Sequence, residues 1–141
     1  MNFQKIGFIG LGLIGGSIAK KIKANCPETQ IYATAHHIET IQEAYKEGII
    51  ENSNLLSMSD FSECDCIFLC APVQRNLDYL AQLKDIIKKD CYITDVDSTK
   101  TEIHEEVIRL DMEANFIGGH PMTGSEKTGI SAANAALLEN A

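Results

Sequence analysis

A few short stretches of this chain gather the residue types that chemistry needs. The first is Gly10-Leu-Gly-Leu-Ile-Gly15. In a GxGxxG run of this kind Gly10 would permit a tight turn, Gly12 would let a pyrophosphate approach the backbone, and Gly15 would let a helix lie close against its strand. The N–H groups that open the helix, at Leu13 and Ile14, would hold the phosphates. The second stretch is Asp95-Val-Asp-Ser-Thr-Lys100, and the third is Gly118-Gly-His-Pro-Met-Thr-Gly-Ser-Glu126. A histidine held by an adjacent proline and flanked by glycines, as His120 is, suits taking a proton from a hydroxyl while hydride leaves the same carbon. Position alone does not separate it from an ordinary loop residue.

A glycine run is a weak sign unless a strand precedes it and a helix follows. Here residues 5–9 read as a short buried strand that runs straight into the glycines, and 13–24 has helical spacing. A second strand is expected at 30–33, then a helix over 38–47 stopped by Gly48, with Ile38, Ile41, Ala44 and Tyr45 at helical offsets. Residues 52–60 carry the weakest pattern, with room for one short strand. The continuous apolar run 66–71, ended by Pro72, is what a central parallel strand needs.

Leu77, Leu80, Leu83, Ile86 and Ile87 predict an amphipathic helix over 76–89, whose closing Lys88 and Lys89 suit the negative end of its dipole. A strand at 91–94 follows. Thr99 and Glu102 have capping-box spacing, opening a helix to about residue 110. A last strand at 115–118 and a last helix at 128–139 complete the reading. Strands alternating with helices predict an α/β fold, a doubly wound, mostly parallel sheet of the Rossmann dinucleotide-binding type, taking in residues 1–141. Both later stretches follow predicted strands, so they lie at the carboxyl edge of the sheet, where such folds bind ligands.

Composition narrows the partners. With 12 basic against 20 acidic residues the net charge is −8, and Lys20, Lys21 and Lys23 form the one basic cluster. Nucleic acid and anionic membrane are therefore poor partners. No window approaches the ~18 to 20 apolar residues of a membrane span. The glycines at 10, 12, 15 and 16 argue for a turn rather than a signal peptide. Five cysteines, with Cys64, Cys66 and Cys70 in one apolar stretch, lack the paired spacing of a zinc site, so no metal is expected. They read as reduced core residues of a cytoplasmic protein.

The end of the second strand, Ala33-Thr-Ala-His-His37, lies where a carboxylate normally accepts hydrogen bonds from the adenosine ribose. No Asp or Glu stands between Glu28 and Glu39. That absence permits NADP, whose 2′-phosphate Thr34 or His36 would meet, and leaves NAD open.

Taken together, the glycine loop with Ser17, Ala71-Pro-Val73, the stretch 95–100 and the stretch 118–126 resemble the prephenate dehydrogenase family, which includes arogenate dehydrogenases. The His-Pro-Met-x-Gly-Ser/Thr-Glu pattern is much more specific than the glycine loop. The resemblance implies that His120 accepts the proton of the substrate's ring hydroxyl as hydride passes to nicotinamide and CO2 is lost. It implies that Ser98 contacts the same hydroxyl and the cofactor, although capping the next helix suits that serine equally. Lys100, Ser125 and Glu126 would lie near the substrate, and Ala71, Pro72 and Val73 against the nicotinamide.

Two places depart from the family pattern: Asp97 stands in place of a glycine, and Ala35-His36 stands where Asp and Arg are frequent. Family members continue into a helical domain that forms a homodimer and supplies an arginine for a substrate carboxylate, and that domain is expected to lie outside this chain. Arg75 and Arg109 match no family motif. The competing readings are a nucleotide-binding or regulatory module without turnover, and another two-domain dehydrogenase of 3-hydroxyacid type.

Overall fold

Apolar runs too short for helices become the strands of one sheet. The computed structural model describes residues 3–96 and 101–118. Its strands are β1 (Lys5–Ile9), β2 (Gln30–Thr34), β3 (Cys66–Leu69), β4 (Tyr92–Asp95) and β5 (Phe116–Ile117). All pair in parallel, in the order β2-β1-β3-β4-β5. Between them run helices α1 (Leu13–Asn25), α2 (Ile38–Lys46), α3 (Val73–Leu83) and α4 (Thr101–Arg109).

Because side chains alternate along a strand, each strand feeds two layers. Ile6 and Phe8 of β1 pack with Ala19 of α1 and with Ile41 and Ala44 of α2. Ile9, Ile67, Leu69 and Ile93 point the other way, onto Leu80 and Leu83 of α3 and Ile103 and Val107 of α4. The doubly wound reading is thus correct. Leu80 and Leu83 are fully buried, and each such side chain contributes about 1.5–3 kcal/mol through the apolar surface it removes from water.

Several boundaries differ from the sequence expectation. Residues 52–60 hold no strand; instead Met58–Phe61 form a 3₁₀ turn. Phe61 from that turn packs against Gly7, where a Cβ would stand 2.5 Å from its ring. The chain just before the turn still serves the sheet. The Glu51 N–H donates to Ile31 O (2.8 Å), and the Asn52 amide does a strand's work on Ala33: its Oδ1 accepts from the Ala33 N–H (3.0 Å) and its Nδ2 donates to Ala33 O (2.8 Å).

Helix α3 starts three residues ahead of the expected position, directly behind Pro72 at its N-cap, and ends at Leu83. Proline fixes φ for the entry to a helix. The Asn76 Nδ2 donates to Ala71 O (2.8 Å), which ties the helix to the loop before it. Ile86 and Ile87 therefore lie beyond α3, and Lys88 does not serve its dipole. It forms an ion pair with Asp65, whose other oxygen accepts from the N–H groups of Gln4 (2.8 Å) and Lys5 (3.0 Å).

Glu102 lies in the first turn of α4, where its carboxylate accepts from Gln74 Nε2 (2.6 Å); Thr99 lies outside the described residues, as do 119–141 with the helix expected at 128–139. Cys64, Cys66 and Cys91 are buried thiols without disulfides, and burial pushes Cys64 up to about 11 and Cys66 and Cys91 to about 12. They behave as the small core residues expected of them.

Candidate functional site

In this strand order β1 lies between β2 and β3, and the chain leaves β1 and β3 toward opposite faces of the sheet. A crevice opens at their carboxyl ends for that reason. It forms a cavity of about 380 Å³. The end of β1 contributes Gly10, Leu11 and Gly12, the end of β2 Thr34 to His37, and the end of β3 Cys70, Ala71 and Pro72; Thr40, Arg75 and Tyr79 complete the wall.

Each glycine of the loop has its own physical requirement. Gly10 has φ +94°, and a Cβ there would stand 2.7 Å from the Ala71 nitrogen. Its N–H donates to Thr34 O (2.9 Å), so it clamps the turn between the ends of β2 and β3. At Gly15 a Cβ would come within 3.0 Å of Gly10 O and 3.1 Å of the Cys70 side chain, which is the cost of laying α1 close on the sheet. A Cβ at Gly12 would meet nothing within 4 Å. Among the described residues the space in front of Gly12 is open, and their packing does not require glycine there.

Gly12 is also the N-cap of α1, and among the described residues no side-chain hydrogen bond caps that helix. The ladder begins with the Gly16 N–H on Gly12 O (2.9 Å). The N–H groups of Leu13 and Ile14 precede it, at the positive end of the helix dipole and beside the open space. An uncapped helix start behind a glycine with room before it fits a pyrophosphate. Ser17, fully buried, turns its hydroxyl back to Leu13 O (2.7 Å) and leaves that space clear.

The ribose end is built differently from its sequence reading. Thr34 lines the cavity, but its hydroxyl donates to Leu56 O (3.1 Å), so that hydrogen is in use. His36 is exposed, and its Nδ1 lies 3.0 Å from Nη1 of Arg75, a residue that sequence motifs did not single out. Arg75 is the third residue of α3, which starts at the edge of the crevice, and no local motif marks it. Ala71 and Pro72 line the cavity, while Val73 opens α3 just behind them. Asp95, the last residue of β4, is fully buried. Ser98, Lys100, His120, Ser125 and Glu126 lie outside the described residues.

Comparison with known proteins points the same way. The profile described as "Prephenate dehydrogenase, nucleotide-binding domain" matches residues 18–141. The prephenate dehydrogenase of Lactococcus lactis is 44% identical over 98% of this chain, which spans 39% of that protein. Among solved structures, prephenate dehydrogenase of A. aeolicus in complex with hydroxyphenyl propionate and NAD+ superposes with a TM-score of 0.89 at 29% identity, over 99% of this chain and 49% of its own. Synechocystis arogenate dehydrogenase gives 0.82 at 32% identity, over 94% of this chain and 46% of its own.

The chain thus spans between about two-fifths and half of these relatives. The profile covers most of the sequence, the neighbours cover nearly all of it, and the crevice has the cradle that the profile's description requires. This chain belongs to the prephenate dehydrogenase family and carries its nucleotide-binding domain.

Proposed function

We propose that the chain binds NAD or NADP in the crevice above β1 and forms the cofactor-binding part of an enzyme that oxidatively decarboxylates prephenate, giving 4-hydroxyphenylpyruvate, or arogenate, giving tyrosine. The observation that carries the nucleotide reading is the uncapped start of α1 behind Gly12, with open space where a Cβ would stand. Gly10, Gly12 and Gly15 shape the cradle, and the N–H groups of Leu13 and Ile14 hold the pyrophosphate. Ala71, Pro72 and Val73, at the far side of the loop, lie toward the nicotinamide. When bound, that cofactor supplies a hydride acceptor.

The chemistry assigned to this chain's own residues rests on the family motif. His120 takes the proton of the ring hydroxyl as hydride leaves the carbon that bears it, and returns it to the phenolate left when CO2 departs. Ser98 orients that hydroxyl. Lys100, Ser125 and Glu126 surround the substrate. A second, helical domain outside residues 1–141 closes the site and forms a homodimer in the longer protein, in keeping with relatives about twice this length or more.

The test is His120→Asn in the longer protein. A placed base is worth about 10²- to 10⁴-fold in rate. The expected result is a fall in kcat of that size, loss of the rise in rate with pH, and unchanged cofactor Kd. Wild-type kcat with an unchanged pH profile would remove His120 from the mechanism.

A further inference from the structure

The strand order places the end of β2 and the start of α3 on opposite sides of the end of β1. Arg75 crosses that gap. Its Nη1 lies 3.0 Å from Nδ1 of His36. Arginine stays protonated, so it donates, and the His36 nitrogen accepts. The His36 and His37 rings meet edge to face with centroids 4.6 Å apart. A guanidinium and two imidazoles therefore cluster at that end of the cavity, on two different elements, and Arg75 carries the permanent positive charge.

What surrounds them matters as much. Among the described residues, no carboxylate lines the cavity. No ion pair among the described residues involves Arg75. Residues 29–38 contain no acid that could accept from a ribose 2′-hydroxyl, and the Thr34 hydroxyl, whose hydrogen goes to Leu56 O, has none left to donate to a phosphate. A dinucleotide with a free 2′-hydroxyl would find no carboxylate there among the described residues. A 2′-phosphate would find a guanidinium with donors to spare, and its planar fork matches two phosphate oxygens at once.

We propose that Arg75, steadied by His36, holds the 2′-phosphate and makes this chain select NADP over NAD. The inference rests on the nucleotide-binding reading above and adds the specificity-determining residue. It places the selecting charge on α3 rather than on the β2 loop.

Titration calorimetry on the 141-residue chain with NADP+, NAD+, and the pair 2′,5′-ADP and 5′-ADP tests it. The wild-type chain should bind NADP+ at least tenfold more tightly than NAD+, with the same order for the two shorter probes. Arg75→Ala should weaken NADP+ and 2′,5′-ADP about tenfold or more and leave NAD+ and 5′-ADP within twofold. Arg75 is exposed, so the variant should fold, and a thermal melt checks that. Ala35→Asp, which sets a carboxylate on the β2 side, should likewise weaken NADP+ alone. Equal weakening of all four probes by Arg75→Ala would mean that Arg75 packs on the adenine and would overturn the proposal, as would wild-type affinity for NAD+ equal to that for NADP+. Binding of neither dinucleotide by the wild-type chain would bring down the nucleotide reading itself and this proposal with it.

Discussion

Replacing Gly12 by valine separates binding from folding. A Cβ at Gly12 meets nothing within 4 Å, so the fold loses only a tolerated cap residue, which costs at most about 1 kcal/mol. For a chain of this size that moves Tm by about 4 °C. The valine side chain instead enters the cavity that Gly12 lines, in front of the N–H groups of Leu13 and Ile14. A hydrogen bond from a backbone N–H to a charged group is worth about 1.5–3 kcal/mol. Losing one such bond to the pyrophosphate raises Kd roughly 10- to 100-fold. Gly10→Ala supplies the opposite control. Its φ of +94° and a Cβ 2.7 Å from backbone would strike the fold first, and the left-handed conformation alone costs about 1–2 kcal/mol. Calorimetric titration with NADP+ and NAD+, paired with thermal melts of both variants, reads the two effects apart. A folded Gly12→Val protein with wild-type affinity for both nucleotides refutes the cradle. A Gly12→Val melt as depressed as that of Gly10→Ala refutes the claim that the space is open.

The Asp65 carboxyl is held below its ordinary value, first by its hydrogen bond to Lys88 and then by the Lys5 and Gln4 N–H groups, against desolvation. A depressed carboxyl stabilises the fold above its unfolded pKa near ~4 and loses that contribution as pH falls through the lower folded value. The Tm gap between wild type and Asp65→Asn should therefore be widest at neutral pH and narrow in acid; a gap independent of pH argues against this role. Asn52→Ala leaves the Ala33 N–H and C=O, now both partnered by one amide, without that partner. At ~1–3 kcal/mol for each unsatisfied buried group, urea unfolding should show a loss of about 2–6 kcal/mol, and a change below ~0.5 kcal/mol would mean that water or backbone replaces the amide readily.

The parts of this molecule that were legible in its sequence are those where the local pattern and the tertiary role coincide. Residues 5–9 and 66–69 had to be buried on both faces, and a continuous apolar run says so. Gly10, Gly12 and Gly15 announce a loop that side chains would obstruct. Helix α3 was misplaced because Ile86 and Ile87 prolong the apolar spacing past Leu83, while Lys88 is drawn to Asp65, a partner 23 residues away. Asn52 left no trace in hydropathy, since its amide substitutes for backbone rather than for a core side chain. Nothing local marks Arg75, because its partner His36 lies 39 residues away; no motif spans that distance, and only the order of the strands brings the two together.

The Asn52 amide also decides what the sheet can do in company. An outer strand with unpaired N–H and C=O groups is a template on which another chain can add itself. On β2 those groups are met from within, by Glu51 at Ile31 and by Asn52 at Ala33. Two consecutive residues thus occupy three of the pairing groups on this flank of β2, Ile31 O and the Ala33 N–H and C=O, without extending the sheet by a further strand. Loss of Asn52 would free the Ala33 N–H and C=O on an outer strand, so a variant at this position should be more prone to self-association than the wild type.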